Sequence, residues 1–512
     1  MSDLTNTLII EEATENPKTA SVVNASEENV SEMVNEAESS REAEFSNVPP
    51  GNKNKGDSDQ DKKCLDGSEL EFTRANIEGL GNHVHLVDSD EDSKLDMFCY
   101  VKCTEDDNSL IKQCRGVVFH GNDLVMKAFP YTIEYNHTEI DKYTDDLADF
   151  DRWSFYVSYE GSLIRMFHFN EKWYVSTHRK LNAFRSKWAS RVSFGTSFKA
   201  ALLAEEENNK EFRSGLPDGE NILARFQETL DTDKQYMFLV LNNSENRIVC
   251  DAPERPTLFH VGTFVNGELV MTEDIKLPCP KRLSFLDSND LKLAIQDMSY
   301  KEHQGVICFG PDNRQIKVLH QDYQDLFKAR GNEPSIKFRY LQVRMNRRYT
   351  NMLYHLYPNV AEMFDEYENT LYDIARSIYR AYVQRFIKKR YVTVPREEFA
   401  VIRECHSWHL ADRSENRISL NQIIKVMNQQ SPTHLNRMIR RFKLEQIRQK
   451  DRPMQKSRTD HLRSFEQSPD VRNPSEPPIS PLLLSQSSQK NVSRPRRRIT
   501  SILPRKVSDK KE

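Results

Sequence analysis

No stretch of this chain approaches the roughly 18 consecutive apolar residues that a membrane-crossing helix needs, so no transmembrane helix is expected. The N-terminus lacks a basic segment followed by an apolar run, so no secretory leader is expected. Eight cysteines are scattered through the sequence, and no two are spaced as CxxC. Cys99 and Cys103 have three residues between them, and Cys114 follows alone. That spacing does not support a four-cysteine zinc site, and no metal ligand set is assigned. Without a leader the thiols are expected to be reduced and the protein intracellular, in the cytoplasm or the nucleus. Apolar residues are also scarce. They make up 37% of the 512 residues, and the mean hydropathy is −0.73. That is too little for the whole chain to pack into cores. No internal repeat is visible.

The polar excess lies at the two ends. Residues 1–65 form an acidic, aromatic-poor tail ("EEATENPK", "NEAESSREAEFS"), and residues 451–512 form a basic tail rich in Ser and Pro. Both are expected to be disordered. The net charge of −4 therefore hides a separation of sign along the chain. "RPRRRITSILPRK" near the C-terminus reads as an arm for RNA or nuclear import; a solvated tail with no specific partner is the competing reading.

Between the tails, residues 66–335 alternate short apolar runs with turns. "MFCYVKC", "RGVVFHGNDLVMKAF", "WSFYVSYEGSLIRMFHF", "WYVSTH", "QYMFLVLNN", "RIVCD", "LFHVGTFV", "GVICFG" and "QIKVLH" read as strands, with "HGND" and "NE" as hairpin turns. "KLNAFRSKWASRVSF" and "SFKAALLAEEEN" read as helices. The pattern predicts an α+β domain on antiparallel sheets. From 336 to 450 the period changes. Val360, Met363, Phe364, Tyr367, Leu371, Ile374, Ile378, Tyr382 and Phe386 recur at helical spacing. Pro395, Ser419 and Ser431-Pro432 mark three further helix starts, which predicts an all-helical C-terminal domain.

The order of "CRGVVFHGNDLVMKAFPYTIEYN", "SYEGSLIRMF", "NNSENRIVCDAPERPTLFHVGTF", "HQGVICFG" and "QIKVLHQDYQDLF" resembles that of the phage-type tRNA-repair RNA ligases. These belong to the covalent nucleotidyltransferase superfamily of ligases and capping enzymes. The resemblance covers roughly residues 100–335. It implies an antiparallel-sheet, ATP-grasp-like ligase core, with ATP and Mg²⁺ as cofactors and RNA ends as substrate. In that family the lysine of a K-x-[DE]-G motif attacks the α-phosphate of ATP. Carboxylates hold the metal, and a K-x-K strand neutralises the phosphates.

Placed on these motifs, the sequence departs from them. The nucleophile position is Ser158, followed by Glu160 and Gly161. The central-strand glutamate falls on Val240, the E-G-[VI] glutamate on Gln304, and the second lysine of K-x-K on Leu319. The upstream lysine is replaced by Tyr131. Arg115, Glu160, Gly161 and Lys317 stand and are the nucleotide-binding residues the resemblance implies. Serine has no low-pKa form without an adjacent base, and glutamine lacks the charge a metal ligand supplies.

A relocated nucleophile is the alternative. Lys180, beside Arg179 in a strand-to-helix turn, is its candidate, and Lys127, Lys172 and Lys187 are nearby in sequence. His168, His178, His303 and His320 lie close to the same motifs, where a solvent-facing strand position is the bland reading. Cys405, His406 and His409 share a helical turn, and packing or capping is preferred over a metal site there. "RSIYRAYVQRFIKKRYV" and "RMIRRFKLEQIRQK" offer bases for a phosphate backbone, with their aromatics assigned to the core. Three readings follow. One is a degenerate nucleotidyltransferase that binds RNA or nucleotide without the lysine–AMP adduct, through its pocket and basic tail. The second is an active ATP-dependent ligase with a displaced nucleophile. The third is a structural interaction protein.

Overall fold

Alternation of apolar side chains builds most of the strands. In the computed structural model residues 71–450 are described, apart from 128, 143–146, 148–149 and 272–274. The two expected tails lie outside the described residues. Fourteen strands form three sheets among the described residues. The first is β1 (Val84–Asp90), β2 (Leu95–Tyr100), β3 (Arg115–His120) and β4 (Asp123–Met126), antiparallel in chain order. The third sheet takes β5 (Ile133–Asn136) and β6 (Ser154–Ser158). The second takes β7 (Gly161–Phe169), β8 (Lys172–Ser176), β9 (Gln235–Leu241), β10 (Leu258–Val265) and β11 (Glu268–Val270), in the order β11-β10-β9-β7-β8. Strands β12 (Arg282–Leu283), β13 (Gly305–Phe309) and β14 (Gln315–Leu319) complete the third sheet, ordered β12-β6-β13-β14-β5.

The expected hairpin is β7–β8. Asn170 and Glu171 turn it with φ of 49° and 58°, the left-handed pair a two-residue type I′ turn requires. On β7, Ile164 and Met166 point to one core with the helix Phe194–Asn208, whose Phe198, Ala201 and Leu202 cover them. Phe167 and half-buried Leu163 point to the opposite core, shared with Tyr156, Met237, Val261 and Phe309. The third sheet buries its outer face, including Phe155, Val306, Cys308, Ile316 and Val318, against Leu291 and Ile295 of the helix Ser288–Gln296. The sheets are antiparallel apart from one pair, β14 with β5, which runs parallel.

Two expected elements differ. "RIVCD" is a turn rather than a strand, with its backbone N–H groups bonded to a carboxylate described below. "KLNAFRSKWASRVSF" forms only a short 3-10 turn, Ala183–Arg185, capped by Asn182. The helix starts later because Ser193 caps Thr196, and Phe184 packs flat on Gly195, where a Cβ would lie 2.6 Å from its ring.

From Ile336 the chain is helical. The apolar stripe read from the sequence forms the helix Ala361–Tyr382, which passes into a π-helical turn at Val383–Ile387. Phe364, Leu371, Ile374 and Ile378 are buried there against Val401, Ile402, Ile423, Met427 and Met438. Pro395 precedes the helix Arg396–Ala411, Ser419 accepts from Gln422 N–H, and Ser431 accepts from His434 N–H, as expected at those starts. His406 stacks on Phe386 with ring centroids 3.9 Å apart, and His409 Nδ1 bonds the Asn416 carbonyl.

Glu398 in this region is 9% exposed. Burial, helped by Glu445 and Glu397 and opposed by Arg441, pushes its carboxyl up from 4.5 to about 7. Between those values the folded chain holds a proton that the unfolded chain has lost. Stability should therefore fall as pH rises through this window, by about 3 kcal/mol. Urea midpoints at about pH 5 and about pH 7.5 test this. Glu398→Gln should flatten the dependence, and a variant as pH-sensitive as the parent would remove Glu398 as its source.

Candidate functional site

The S-Y-E-G stretch is the crossover between two sheets. Ser158 ends β6 in the third sheet, and Gly161 starts β7 in the second. Because side chains alternate along a strand, one face of the third sheet presents two cross-strand rows. Tyr156, Ile307, Lys317 and Glu134 are successive partners in one, and Ser158, Gly305, Leu319 and Asn136 in the next. Motif positions far apart in sequence thus meet on four adjacent strands.

At their centre is Gln304. Its backbone N–H donates to the Ser158 carbonyl at 2.8 Å. Its side-chain Oε1 accepts from Ser158 Oγ at 2.9 Å and from Lys317 Nζ at 3.0 Å. Its Nε2 donates to Tyr323 Oη at 2.7 Å. Tyr323 in turn donates to Glu160 Oε2 at 3.3 Å. Ser158, Glu160, Gln304 and Tyr323 are all buried. Burial pulls the Lys317 ammonium below the ordinary lysine range; Glu134 and Glu160 oppose the shift, and Arg115 adds to it.

Glu160 is the most heavily bonded group of the network. Oε1 accepts from Ile248 N–H at 2.7 Å and Asn242 Nδ2 at 3.3 Å. Oε2 accepts from Val249 N–H at 2.9 Å, Cys250 N–H at 3.2 Å and Tyr323. Five donors of the chain therefore occupy both oxygens, and the carboxylate is a strut that holds the 248–250 turn. Gly161 is required by contact: a Cβ there would stand 2.5 Å from the Val240 carbonyl oxygen on β9.

Val240 lies on the central strand β9, and its side chain enters the helix-covered core with Phe198 and Phe226. The β9 residues that face the opposite core are Met237 and Leu239. No carboxylate stands on β9 in either register. Leu319, which the resemblance places at the second lysine of K-x-K, is buried among Val249, Cys250, Tyr323 and Leu326 in an apolar cluster. With Glu160 caged, Gln304 neutral and Val240 in the core, these positions do not assemble the oxygen-rich donor set of Mg²⁺. Glu134, exposed beside Lys317, is the carboxylate of the row left on the surface.

Arg115 begins β3 and donates weakly to the Pro130 carbonyl at 3.4 Å. Beneath it Arg165, fully buried on β7, donates to the carbonyls of Gly116 and Thr177. Burial pulls the Arg165 guanidinium down to about 9, so it stays charged at neutral pH. Burial, followed by Arg115, Arg165 and Arg179, pushes His178 down to about 3 and keeps it neutral. Lys180 follows in the same turn, where its amine pairs with Asp88 at 3.3 Å and its backbone N–H bonds Thr177. These partners lie on the first sheet and in its own turn, not in the Gln304 network. Lys172 pairs with Asp90, and Lys127 donates to Gln113. Tyr131 lies edge-on to Tyr100. His303 packs on Tyr159, His168 packs on Trp173, and His320 stacks on His137.

Sequence reasoning missed Tyr323, Asn242, the 248–250 turn and Arg165. For Arg165 the signal was available, since one charge interrupts the apolar run "SLIRMFHF".

Among solved structures, this chain is similar to nucleic-acid ligases. A protein of Aquifex aeolicus described as an ATP-dependent DNA ligase overlaps 65% of this chain and 86% of its own, at 15% identity and a TM-score of 0.32. An archaeal ATP-dependent RNA ligase overlaps 57% and 70%, at 12% identity and a TM-score of 0.32. Overlaps of that score do not define a common fold. Among curated proteins, the chain is 27% identical to the immediate-early protein ICP-46 homolog of Invertebrate iridescent virus 6 over 380 residues, 68% of this chain and 80% of that protein. It is 25% identical to a protein of Autographa californica nuclear polyhedrosis virus described as a bifunctional polynucleotide kinase/RNA ligase, over 31% of this chain and 22% of that protein. No protein-family model matches.

Proposed function

We propose that the chain is a ligase-like nucleotidyltransferase that binds RNA or nucleotide without forming a lysine–AMP adduct. One observation carries the reading. The side chain at the nucleophile position, Ser158, donates to the amide of Gln304, and Lys317 donates to the same oxygen. A closed set of hydrogen bonds thus replaces an amine poised beside metal-binding carboxylates. The local match to a described RNA ligase supports nucleic acid as the ligand class. Arg115, half-buried without a carboxylate within ion-pair distance among the described residues, and Lys317 are the cations left to meet a phosphate. The domain boundaries at 335/336 and the basic tail from 451 belong to the same reading.

A second reading rests on Lys317 itself. Its desolvated amine already sits at the nucleophile's neighbour, Gln304. Intact-mass spectrometry after incubation with ATP or GTP and Mg²⁺ or Mn²⁺ separates the two. No mass increase is expected. An adduct mapped by peptide analysis to Lys317 would establish the second reading, and one on Lys180 would establish the relocated nucleophile named from the sequence.

A further inference from the structure

From Lys172 to Ala204 the chain carries seven Lys or Arg residues (172, 179, 180, 185, 187, 191 and 199) and no Asp or Glu. Lys172 and Lys180 are neutralised by Asp90 and Asp88. Arg185, Lys187 and Arg191 have no carboxylate within ion-pair distance among the described residues, and all three are exposed. Residues 187–191, with Glu245 and Pro334, line a shallow, open depression of about 550 Å³. That is room enough to seat one nucleotide against the surface.

The lining has the parts that nucleotide binding requires. Trp188 is half-buried, and the buried guanidinium of Arg330 backs its ring at 5.4 Å. Arg330 is fixed in turn by Tyr357 Oη at 2.8 Å and by the Glu333 carbonyl. Tyr357 shares its proton between the carbonyls of Arg247 and Ile248, at the turn that cages Glu160. The indole is therefore a rigid platform joined to the candidate site. Lys187 and Arg191 flank it with two cations. Ser190 Oγ holds Glu245 by Oε2, and Oε1 has no hydrogen-bond partner among the described residues. Ala189 between them has φ of 56°, a left-handed conformation unfavourable for alanine and of the kind that clusters at binding sites.

We infer that this depression binds one nucleotide of a single-stranded RNA, with its base on Trp188, its flanking phosphates on Lys187 and Arg191, and its ribose 2′-hydroxyl on Glu245. Aromatic stacking with flanking cations is how single strands are held without base pairing, and the 2′-hydroxyl distinguishes RNA from DNA. The inference rests on the reading that the chain binds RNA.

Fluorescence polarisation of the full chain with a short labelled single-stranded RNA, titrated with salt, tests it. Trp188→Ala should weaken binding roughly tenfold or more, and Trp188→Phe by no more than about threefold because a smaller ring still stacks. Trp188 also packs on Arg330, so the exposed pair Lys187→Gln/Arg191→Gln provides a test that does not depend on core packing. It should flatten the log–log salt dependence by about 1.4, two phosphates at about 0.7 each. Lys210→Gln/Arg213→Gln, an exposed pair on the short helix Lys210–Gly215, should leave the slope unchanged. Parent-like affinity and slope for Lys187→Gln/Arg191→Gln, in a chain that binds RNA, would overturn this site while sparing the proposed function. Equal affinity for DNA of the same sequence would overturn the assignment of Glu245. Failure of the parent chain to bind RNA at all would overturn both.

Discussion

Glu160→Ala should cost about 4 kcal/mol of stability, the largest loss expected from any single side chain of the site. The carboxylate accepts from three consecutive backbone N–H groups, an amide and a phenol. Hydrogen bonds to a charged acceptor are worth more than neutral ones, and their removal here leaves buried donors at Val249 and Cys250 without an acceptor. Water can restore part of the loss at the half-buried Ile248 end. Glu160→Gln should lose most of the same stability, because it turns a donor toward donors that must be accepted. Urea unfolding monitored by circular dichroism measures both. A loss under about 1 kcal/mol for the alanine variant would mean that the 248–250 turn is held by its apolar contacts instead. The prediction bears on function, since a carboxylate committed to five internal donors is not free to ligate a metal.

Gly161→Ala should be the next most damaging, at about 3 kcal/mol. The backbone at Gly161 does not require a left-handed conformation, so the effect is purely one of contact. The added methyl would stand 2.5 Å from the carbonyl oxygen of Val240 and 3.1 Å from Leu239 Cδ1. Strands β7 and β9 pair from Gly161 to Met166, and they would have to part at the end that carries Glu160. The urea midpoint should drop, and the 248–250 amides should gain hydrogen exchange as the cage loosens. A parent-like midpoint with unchanged exchange would show that the crossover can yield without cost, and the glycine would then have no structural role.

These two residues show how unevenly the site could be read from the chain. Local periodicity gave the β7–β8 hairpin, because alternation and the Asn170-Glu171 turn act within twenty residues. It gave the helix Ala361–Tyr382 for the same reason, since a 3.6-residue stripe is a local signal. It failed at "RIVCD", where a β-branched apolar run is indistinguishable in composition from a strand until its amides meet Glu160. It failed at "KLNAFRSKWASRVSF", whose helical appearance is overridden by the Asn182 and Ser193 caps and by Phe184 against Gly195.

By itself the sequence determined the resemblance that places Ser158, Gln304 and Leu319 at motif positions, along with the excess of cations from Lys172 to Ala204 and the change of period near 336. These are matters of residue type and spacing, which need no neighbour from elsewhere. The tertiary structure alone decided what those residues do. Ser158 and Gln304 are separated by 146 positions, and Glu160 and Tyr323 by 163. Their pairing follows from the register of β6, β13 and β14 and the turn of β9 into the 248–250 loop. Hydrogen bonds between groups so far apart depend on how whole sheets pack, and no local pattern encodes that. The same holds for the depression at Trp188, whose Arg330 backing comes from a helix well over a hundred residues later.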